Sequence, residues 1–290
     1  MSVYLRPDNL DDALDALDAL DALQRAPLTV LAGGTDYYPG RVGRPLDDDL
    51  LDLTGIAALR GIADAGDRWR IGALTTWTDL IRASLPACFD GLKDAAREVG
   101  GVQIQNAGTI AGNLCNASPA ADGAPNLAAL EAEVELSAAA GVRRLPVTEF
   151  LTGNRTTALG PGEIVTAVLV PKLPAAAASV FLKLGARRYL VISIVMIGIV
   201  LVPDGGMVGD VRIAVGACSP VTRRLPALEA VLEGRPLDGR LGEVVSAEAV
   251  ETVLSPIDDV RGSAGYRLDA TVTMLRRGLS DMGRRMGEAA

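Results

Sequence analysis

The stretch GTIAGNLCNASPAAD, residues 108–122, combines four alanines and two glycines with two asparagines, and its only charged residue is Asp122. A second glycine-rich stretch, AGGTD at residues 32–36, follows a short β-branched run. Glycines let a ligand approach the backbone, and successive amides in such a turn form a concave site that suits phosphate oxygens. Neither stretch is a Walker motif or a GxGxxG motif. Two separate loops, each expected to follow a strand, would suit an extended dinucleotide. The alternative is a pair of tight structural turns.

Composition limits the chemistry. The chain has 290 residues, 49% of them apolar and 3% aromatic, so we expect two or three aliphatic cores. The net charge of −8 disfavours a nucleic acid or an anionic membrane surface as partner. The chain has no histidine, which excludes a triad that uses imidazole. We therefore expect no catalytic side chain, and a cofactor that supplies the chemistry.

The cysteines predict neither a metal site nor a disulfide framework. Cys88, Cys115 and Cys218 form no CxxC pattern, whereas an iron–sulfur cluster normally takes four thiolates. The N-terminus shows no basic segment followed by an apolar one, so we expect a cytoplasmic protein without a signal peptide. The apolar run at 190–202 is shorter than the roughly 20 residues of a membrane-spanning helix. It predicts a buried strand that leads into a hairpin.

The order of elements predicts an α+β protein in three parts. Residues 1–55 and 56–175 are expected to form two lobes, and residues 176–290 a C-terminal α+β domain with an antiparallel sheet. A helix over 11–23, capped by Asn9 or Asp8, is expected in the first lobe. It could be an interaction helix, but the sequence favours an ordinary surface helix. Further helical segments are expected on either side of Pro86.

At this spacing, the two glycine stretches resemble the flavoprotein (medium) subunit of the molybdenum hydroxylases, a family that includes xanthine dehydrogenases and bacterial carbon monoxide dehydrogenases. Three later segments also resemble this family: GNRTTALGPGEIVTAVLVP, FLKLGARRYLVISIV and YRLDATVTMLRRGL. The resemblance covers nearly the whole chain. It implies a two-lobed FAD-binding domain of the PCMH type, followed by a C-terminal domain.

The resemblance also implies where FAD lies, bound without a covalent link between the two lobes. The first phosphate-facing loop would comprise Ala32, Gly33, Gly34 and Thr35, and the second Thr109, Gly112 and Asn113. Ser118 and Asp122 would reach ribityl or ribose hydroxyls. The family positions near the adenine side and the flavin ring match Val165 and Lys183, and the segment beside the isoalloxazine matches Val99 and Gly100. Tyr189 would either approach the ring or serve packing alone.

Three residues depart from this pattern or carry an open role. Ala111 replaces a family glycine, so either its methyl group points away from the ligand or the loop is slightly rearranged. Asp36 would place a carboxylate beside the phosphates, and we expect it to turn away and accept local amide bonds. Cys115 could be a reactive thiol or a flavin anchor, but we expect a small buried hydrophobic residue.

The implied function is electron transfer within a larger enzyme. Electrons from a molybdenum large subunit would pass through iron–sulfur clusters of a small subunit to FAD in this chain. They would then pass to a small-molecule acceptor such as NAD⁺, oxygen or a quinone-linked carrier. A dimer of heterotrimers is expected. The alternatives are a stand-alone FAD oxidoreductase with its own organic substrate and a non-catalytic FAD-binding protein.

Overall fold

The structure, a computed structural model, describes residues 2–23, 28–45 and 47–288. Its first sheet is parallel and contains β1 (Tyr4–Leu5), β2 (Leu28–Leu31) and β3 (Asp49–Asp52), in the order β1-β3-β2. Helix α1 (Leu10–Leu23) lies between β1 and β2 in sequence, and it buries Leu14 and Leu17 beside β3. The Asn9 Oδ1 atom accepts a hydrogen bond from the amide of Asp12 at 2.9 Å, which confirms the predicted cap.

The second sheet is antiparallel. In this part of the chain the strands are β4 (Ile62–Asp64), β5 (Arg68–Gly72), β6 (Glu133–Ala138), β7 (Gly141–Pro146), β8 (Leu151–Gly153), β9 (Thr156–Thr157) and β10 (Ile164–Pro171). The order in the sheet is β4-β5-β10-β6-β7, while β8 and β9 pair separately. Strand β10 is central and buried along almost its whole length, which explains why IVTAVLV is apolar except for Thr166.

Helices between β5 and β6 cover this sheet. They are α2 (Trp77–Arg82), α3 (Asp90–Glu98), α4 (Val102–Ala107), α5 (Ile110–Asn116) and α6 (Gly123–Ala129), and the short α7 (Val147–Phe150) follows β7. The break between α2 and α3 contains Pro86, as predicted. Large apolar side chains of these helices, among them Trp77, Leu92 and Leu114, form one core with the sheet.

The second glycine stretch follows a helix, and the expectation of a preceding strand is wrong. Gly108 ends α4, and its amide donates to the carbonyl oxygen of Ile104 at 2.6 Å. The run VQIQ alternates apolar and polar residues as a strand does. Local i to i−4 bonding nevertheless closes it into a helix between two glycines.

The C-terminal domain is an antiparallel meander covered by helices. It contains β11 (Ala178–Leu184), β12 (Val195–Asp204), β13 (Met207–Gly216) and β14 (Arg223–Arg224), paired in that order, together with α8 (Pro226–Leu232), α9 (Ala247–Glu251) and α10 (Ala264–Gly287). The predicted hairpin is present, with Gly205 and Gly206 at positive φ in its turn. Its first strand begins at Val195, later than position 190.

The C-terminal sheet packs directly on the helices of the second lobe. The amide of Gly91 in α3 donates to the Ser179 hydroxyl at 2.8 Å, and a Cβ on Gly198 would lie 2.8 Å from the Pro125 carbonyl carbon. This close approach brings β11 beside α3 and β12 beside α6. The boundaries at 55 and 175 stay predictions, and the three main sheets lie within 4–52, 62–171 and 178–224. No helix in the described parts of the chain has the length and apolarity needed to cross a membrane.

Candidate functional site

The first glycine loop, residues 32–35, follows β2 directly. Gly34 has φ +65°, a left-handed conformation that glycine adopts without strain. Gly33 has no room for a side chain, because a Cβ there would lie 2.0 Å from the carbonyl oxygen of Ala107. The backbone of this loop therefore rests against the chain just before the second glycine loop.

The predicted second loop is the N-terminal end of α5: Thr109 caps this helix, and Gly112 and Asn113 lie within it. We keep the name second glycine loop for residues 108–113, which backbone bonds and the helix cap hold in place. The amide of Ile110 donates to the Thr75 carbonyl at 3.0 Å, and the amide of Trp77 donates to the Gly108 carbonyl at 3.2 Å. The buried Thr109 caps α5, since its hydroxyl oxygen accepts from the Gly112 amide at 3.0 Å. Because the Gly112 amide already donates to this cap, it is not free to bind a phosphate. The Thr109 hydroxyl still has its own proton to donate.

Contacts between the loops join the first and second lobes. A Cβ on Gly112 would lie 3.8 Å from the Ala32 methyl, and a Cβ on Gly108 would lie 3.4 Å from the Thr35 hydroxyl. The structure thus brings together the predicted residues Ala32, Gly33, Thr35, Thr109 and Gly112. The methyl group of Ala111 packs in the buried core, as expected for a side chain turned away from the loop.

Asn113 carries an unsatisfied buried atom beside this junction. Its Oδ1 is buried and has no hydrogen-bond partner in the described parts of the chain. Leaving such an acceptor unpaired costs about 1–3 kcal/mol. Gly123 lies close to this oxygen in space, and a Cβ on Gly123 would be only 3.3 Å from it. Any larger residue at position 123 would therefore crowd the oxygen. An acceptor in a cradle of small residues fits a bound group that has a donor.

Asp122 and Lys183 form a buried ion pair between the second lobe and the C-terminal domain. The Lys183 ammonium lies 2.7 Å from Asp122 Oδ2, and the Ser193 hydroxyl donates to Asp122 Oδ1 at 2.6 Å. Burial raises the pKa of Asp122, while the Lys183 charge and the Ser193 hydrogen bond oppose that rise. Each oxygen of Asp122 has a protein partner, and each can accept a further bond.

The segment around Gly100 lies close to both Lys183 and the chain near Tyr189. Lys183 Nζ is 3.4 Å from the carbonyl oxygen of Glu98, which precedes Val99. Gly100 has φ +53°, and a Cβ on Gly101 would lie 3.6 Å from the Leu190 side chain. Tyr189 is 63% exposed and stacks beneath the Arg188 guanidinium at 5.3 Å.

A cavity of about 490 Å³ opens beside Lys183. It is bounded by charged side chains, among them Asp94, Arg97 and Arg187, and by the apolar side chains of Phe181, Leu184 and Val191. The cavity lies next to the predicted flavin-ring residues, and a small molecule could enter it from solvent.

Two predicted residues lie away from these contacts. The Val165 side chain is buried in the core on β10, beside a bulge at Thr166, so it can offer a ligand little besides its backbone. Ser118 follows α5, and its hydroxyl oxygen accepts from the Ala120 amide at 3.2 Å.

Asp36 and Cys115 differ from their expected environments. The Asp36 carboxylate accepts from Arg155 Nη1 at 2.9 Å, across the two lobes, where local amide bonds were expected. Its partner is far along the chain, which local turn chemistry does not reveal. Cys115 is exposed on α5, where burial was expected, yet desolvation raises the pKa of its thiol to about 12. The neighbouring Leu114 takes the position that faces the core.

Arg155, Asn116 and Ser193 are site residues that sequence reasoning missed. Arg155 lies in the GNRTT segment, and its Nη1 also donates to Asn116 Oδ1 in a short contact. The sequence Gly-Asn-Arg indicates a turn, and Arg155 has the left-handed backbone of one. Nothing near Arg155 in the sequence points to Asp36, which lies 119 positions away. The signal for Ser193 was a single hydroxyl residue within an otherwise apolar run. The structure shows that this hydroxyl is buried.

Comparison with known proteins gives two family matches. Residues 1–173 match the FAD binding domain in molybdopterin dehydrogenase, and residues 181–282 match the CO dehydrogenase flavoprotein C-terminal domain. The carbon monoxide dehydrogenase medium chain of Afipia carboxidovorans is 32% identical over 284 residues, with 94% of each chain covered. A xanthine dehydrogenase FAD-binding subunit of Escherichia coli O157:H7 is 31% identical over 261 residues, with 87% of each covered.

Solved structures show the same architecture. Reconstituted CO dehydrogenase from Oligotropha carboxidovorans matches with a TM-score of 0.88 at 29% identity, covering 98% of each chain. Quinoline 2-oxidoreductase from Pseudomonas putida 86 matches with a TM-score of 0.82 at 26% identity, covering 98% of this chain and 97% of the other. The α+β fold, with an FAD-binding domain followed by a C-terminal domain, agrees with the expected architecture.

Proposed function

Because this chain belongs to the FAD-binding subunits of the molybdenum hydroxylase family, we propose that it passes electrons from iron–sulfur clusters of a partner subunit to an external acceptor. The observation that carries the proposal is the direct contact between two glycine loops, one from each lobe, in a chain whose similarity to this family extends over nearly its whole length. Two such loops, each holding part of one extended ligand, suit a dinucleotide.

The residues around the two loops fit FAD. Backbone groups of the first loop and the hydroxyls of Thr35 and Thr109 would face its pyrophosphate, and Gly34 has the left-handed backbone of a tight turn. Asn113 Oδ1 would accept a hydrogen bond from the cofactor, which would satisfy a buried atom that now has no partner. Ser118 would offer its hydroxyl proton and Asp122 its remaining acceptor positions to the sugar and ribityl hydroxyls.

FAD supplies a redox centre that can take up and release electrons singly or in pairs. Lys183 is held by Asp122 and by the Glu98 carbonyl, so its ammonium has a fixed position beside the ring segment. Val99, Gly100 and Tyr189 would border that segment, and Val165 would contribute backbone near the adenine. The cavity next to Lys183 is the place we assign to the small-molecule acceptor. The chain has no histidine, so no imidazole can act as proton donor or acceptor beside the ring.

The proposed partners are an iron–sulfur small subunit and a molybdenum large subunit, in a dimer of heterotrimers located in the cytoplasm. The names of the relatives, a medium chain and an FAD-binding subunit, support a place within a larger enzyme. The Leu190 side chain lies against Gly101, which precedes Val102. The side chains of Leu190 and Val102 are each at least 60% exposed. Such a surface beside the ring segment supports a lasting contact with the cluster-bearing subunit.

Native co-purification tests this proposal. The tagged chain, purified from its own source and analysed for flavin, iron and molybdenum, should carry all three together with two further polypeptides. Adding the organic substrate of that complex without oxygen should bleach the flavin, and the separated FAD-loaded chain should not respond. Rapid and complete bleaching of the lone chain would instead establish the stand-alone oxidoreductase. FAD without iron, molybdenum or substrate response would favour the non-catalytic alternative.

A further inference from the structure

Arg155 is held in an unusual backbone conformation at the turn between β8 and β9. Its φ is +58°, and Ala117, at the end of α5, has φ +44°. Residues with side chains adopt this left-handed region rarely. The amide of Arg155 donates to the Ala117 carbonyl at 2.9 Å, so the two residues stabilise one another's position. This bond fixes the turn against the end of the helix that starts at the second glycine loop.

The side chain of Arg155 connects the two lobes from this position. Its Nη1 lies 2.9 Å from Asp36 Oδ2 and also contacts Asn116 Oδ1. Asp36 directly follows the first glycine loop, and Asn116 is the last residue of α5. A guanidinium nitrogen carries two protons, so Nη1 can donate to both acceptors at once. Nη1 of Arg155 therefore links Asp36, which follows the first glycine loop, to the C-terminal end of α5, which begins at the second.

The charge of Asp36 gives this link a consequence for an anionic ligand. A carboxylate adjacent to a pyrophosphate loop repels the ligand, and the chain already carries a net charge of −8. The pair is largely exposed, with 52% of the Arg155 side chain and 61% of the Asp36 side chain accessible, so it adds little to folding stability. The effect of this ion pair should therefore appear in ligand affinity, because a bound pyrophosphate places a second negative charge beside the carboxylate of Asp36.

We propose that Arg155 is a positioning residue that neutralises Asp36 beside the dinucleotide loops while tying the first lobe to α5. This inference rests on the proposed placement of FAD across the two loops. Arg155 itself need not touch the cofactor. Removing the guanidinium would expose FAD to the Asp36 charge and would loosen the tie between the lobes.

The test is titration of the full chain, freed of flavin, with FAD. Arg155→Gln should raise the Kd about tenfold or more, which corresponds to about 1.4 kcal/mol. Asp36→Asn alone should leave the Kd within about threefold of wild type, because the Asn oxygen can still accept from Arg155. The double variant Arg155→Gln/Asp36→Asn should return most of the lost affinity. Added salt should weaken the effect of Arg155→Gln, because it screens the Asp36 charge.

Arg284→Gln provides the matched control. Arg284 pairs with Asp281 on α10, and their side chains are 58% and 51% exposed, close to the values for Arg155 and Asp36. This variant should bind FAD like wild type, and melting temperatures should show that all variants fold. An unchanged Kd in Arg155→Gln would overturn the proposal. So would a loss that Asp36→Asn fails to rescue, since it would leave no role for the charge. The titration needs no partner subunit, so failure of the electron-transfer proposal would not affect its outcome.

Discussion

Gly33 is the position at which the two loops leave no room for any side chain. Its contact is with the backbone oxygen of Ala107, and no rotation of a side chain can relieve it. The Gly33→Ala variant must therefore separate the loops. We expect its Kd for FAD to rise at least about tenfold, because overpacking of this kind typically costs about 1–3 kcal/mol. Titration of the flavin-free variant with FAD, followed by flavin fluorescence, measures this Kd.

Gly40→Ala is the control for that substitution. Gly40 lies in the same lobe, has no positive φ, and a Cβ there would meet no atom within 4 Å. Its affinity for FAD should equal that of wild type. Equal affinity in Gly33→Ala as well would show that the loop contact has no part in binding.

The buried pair of Asp122 and Lys183 predicts a stability effect. The Asp122→Ala variant would leave the Lys183 ammonium buried without its carboxylate, and breaking such a pair costs about 3–5 kcal/mol. Urea unfolding should show this loss of free energy. The double variant Asp122→Ala/Lys183→Met should recover most of it, since no uncompensated charge remains. A loss below about 1 kcal/mol in the single variant would contradict the structure of this pair.

Single residues show why part of the site could not be predicted from sequence. The glycines and Thr109 lie in two short motifs, so local pattern and family resemblance were enough to find them. The partners of Asp36 and Asp122 are distant in sequence, and only folding brings them together. The exposure of Cys115 depends on which side of α5 faces the core, and a seven-residue helix offers little periodicity from which to predict that.

At the scale of elements, the helix α1, the helices on either side of Pro86 and the hairpin of β12 and β13 were predicted from apolar patterns and their Gly or Pro boundaries. The helix α4 was missed because its first four residues, VQIQ, alternate as a strand does. Strand β12 starts at Val195, and the exposed residues Leu190 and Ile192 belong to the preceding loop. Apolar character alone does not distinguish a buried strand from an exposed loop that borders a binding surface.

Helix α10 is anchored by Arg267, which predicts a pH dependence. Its buried guanidinium donates to the Ile194 and Ala217 carbonyls and, at 2.7 Å, to Asp259. Burial alone would raise the pKa of Asp259, but hydrogen bonds from Arg261 and the charges of Arg267 and Arg261 lower it to about 2. The pKa of an ordinary aspartate is 3.8, so the stabilisation is complete above that pH and is lost as the pH falls towards 2.

Thermal unfolding at several pH values measures this contribution. Asp259→Asn should melt at a lower temperature than wild type near neutral pH, and the difference should shrink as the pH falls below about 4. A difference that is constant over this range would show that Asp259 does not stabilise the fold through its charge.

At the scale of the whole molecule, the histidine-free sequence predicts that FAD is bound without a covalent bond. Acid or heat precipitation of the purified chain should release the flavin into the supernatant, because no histidyl link can form. Yellow colour retained by the denatured polypeptide would contradict this, and Cys115→Ser would then test whether the exposed thiol is the attachment point.

The most direct test of the two-loop account is a comparison of FAD and FMN on the same flavin-free chain. FMN lacks the pyrophosphate bridge and the adenosine half, so it cannot engage both loops as a dinucleotide does. Calorimetric titration should give one FAD per chain and an FMN affinity at least about 100-fold weaker, since each factor of ten is about 1.4 kcal/mol and several hydrogen bonds are lost. FMN binding as tight as FAD binding would show that the paired glycine loops do not hold a pyrophosphate.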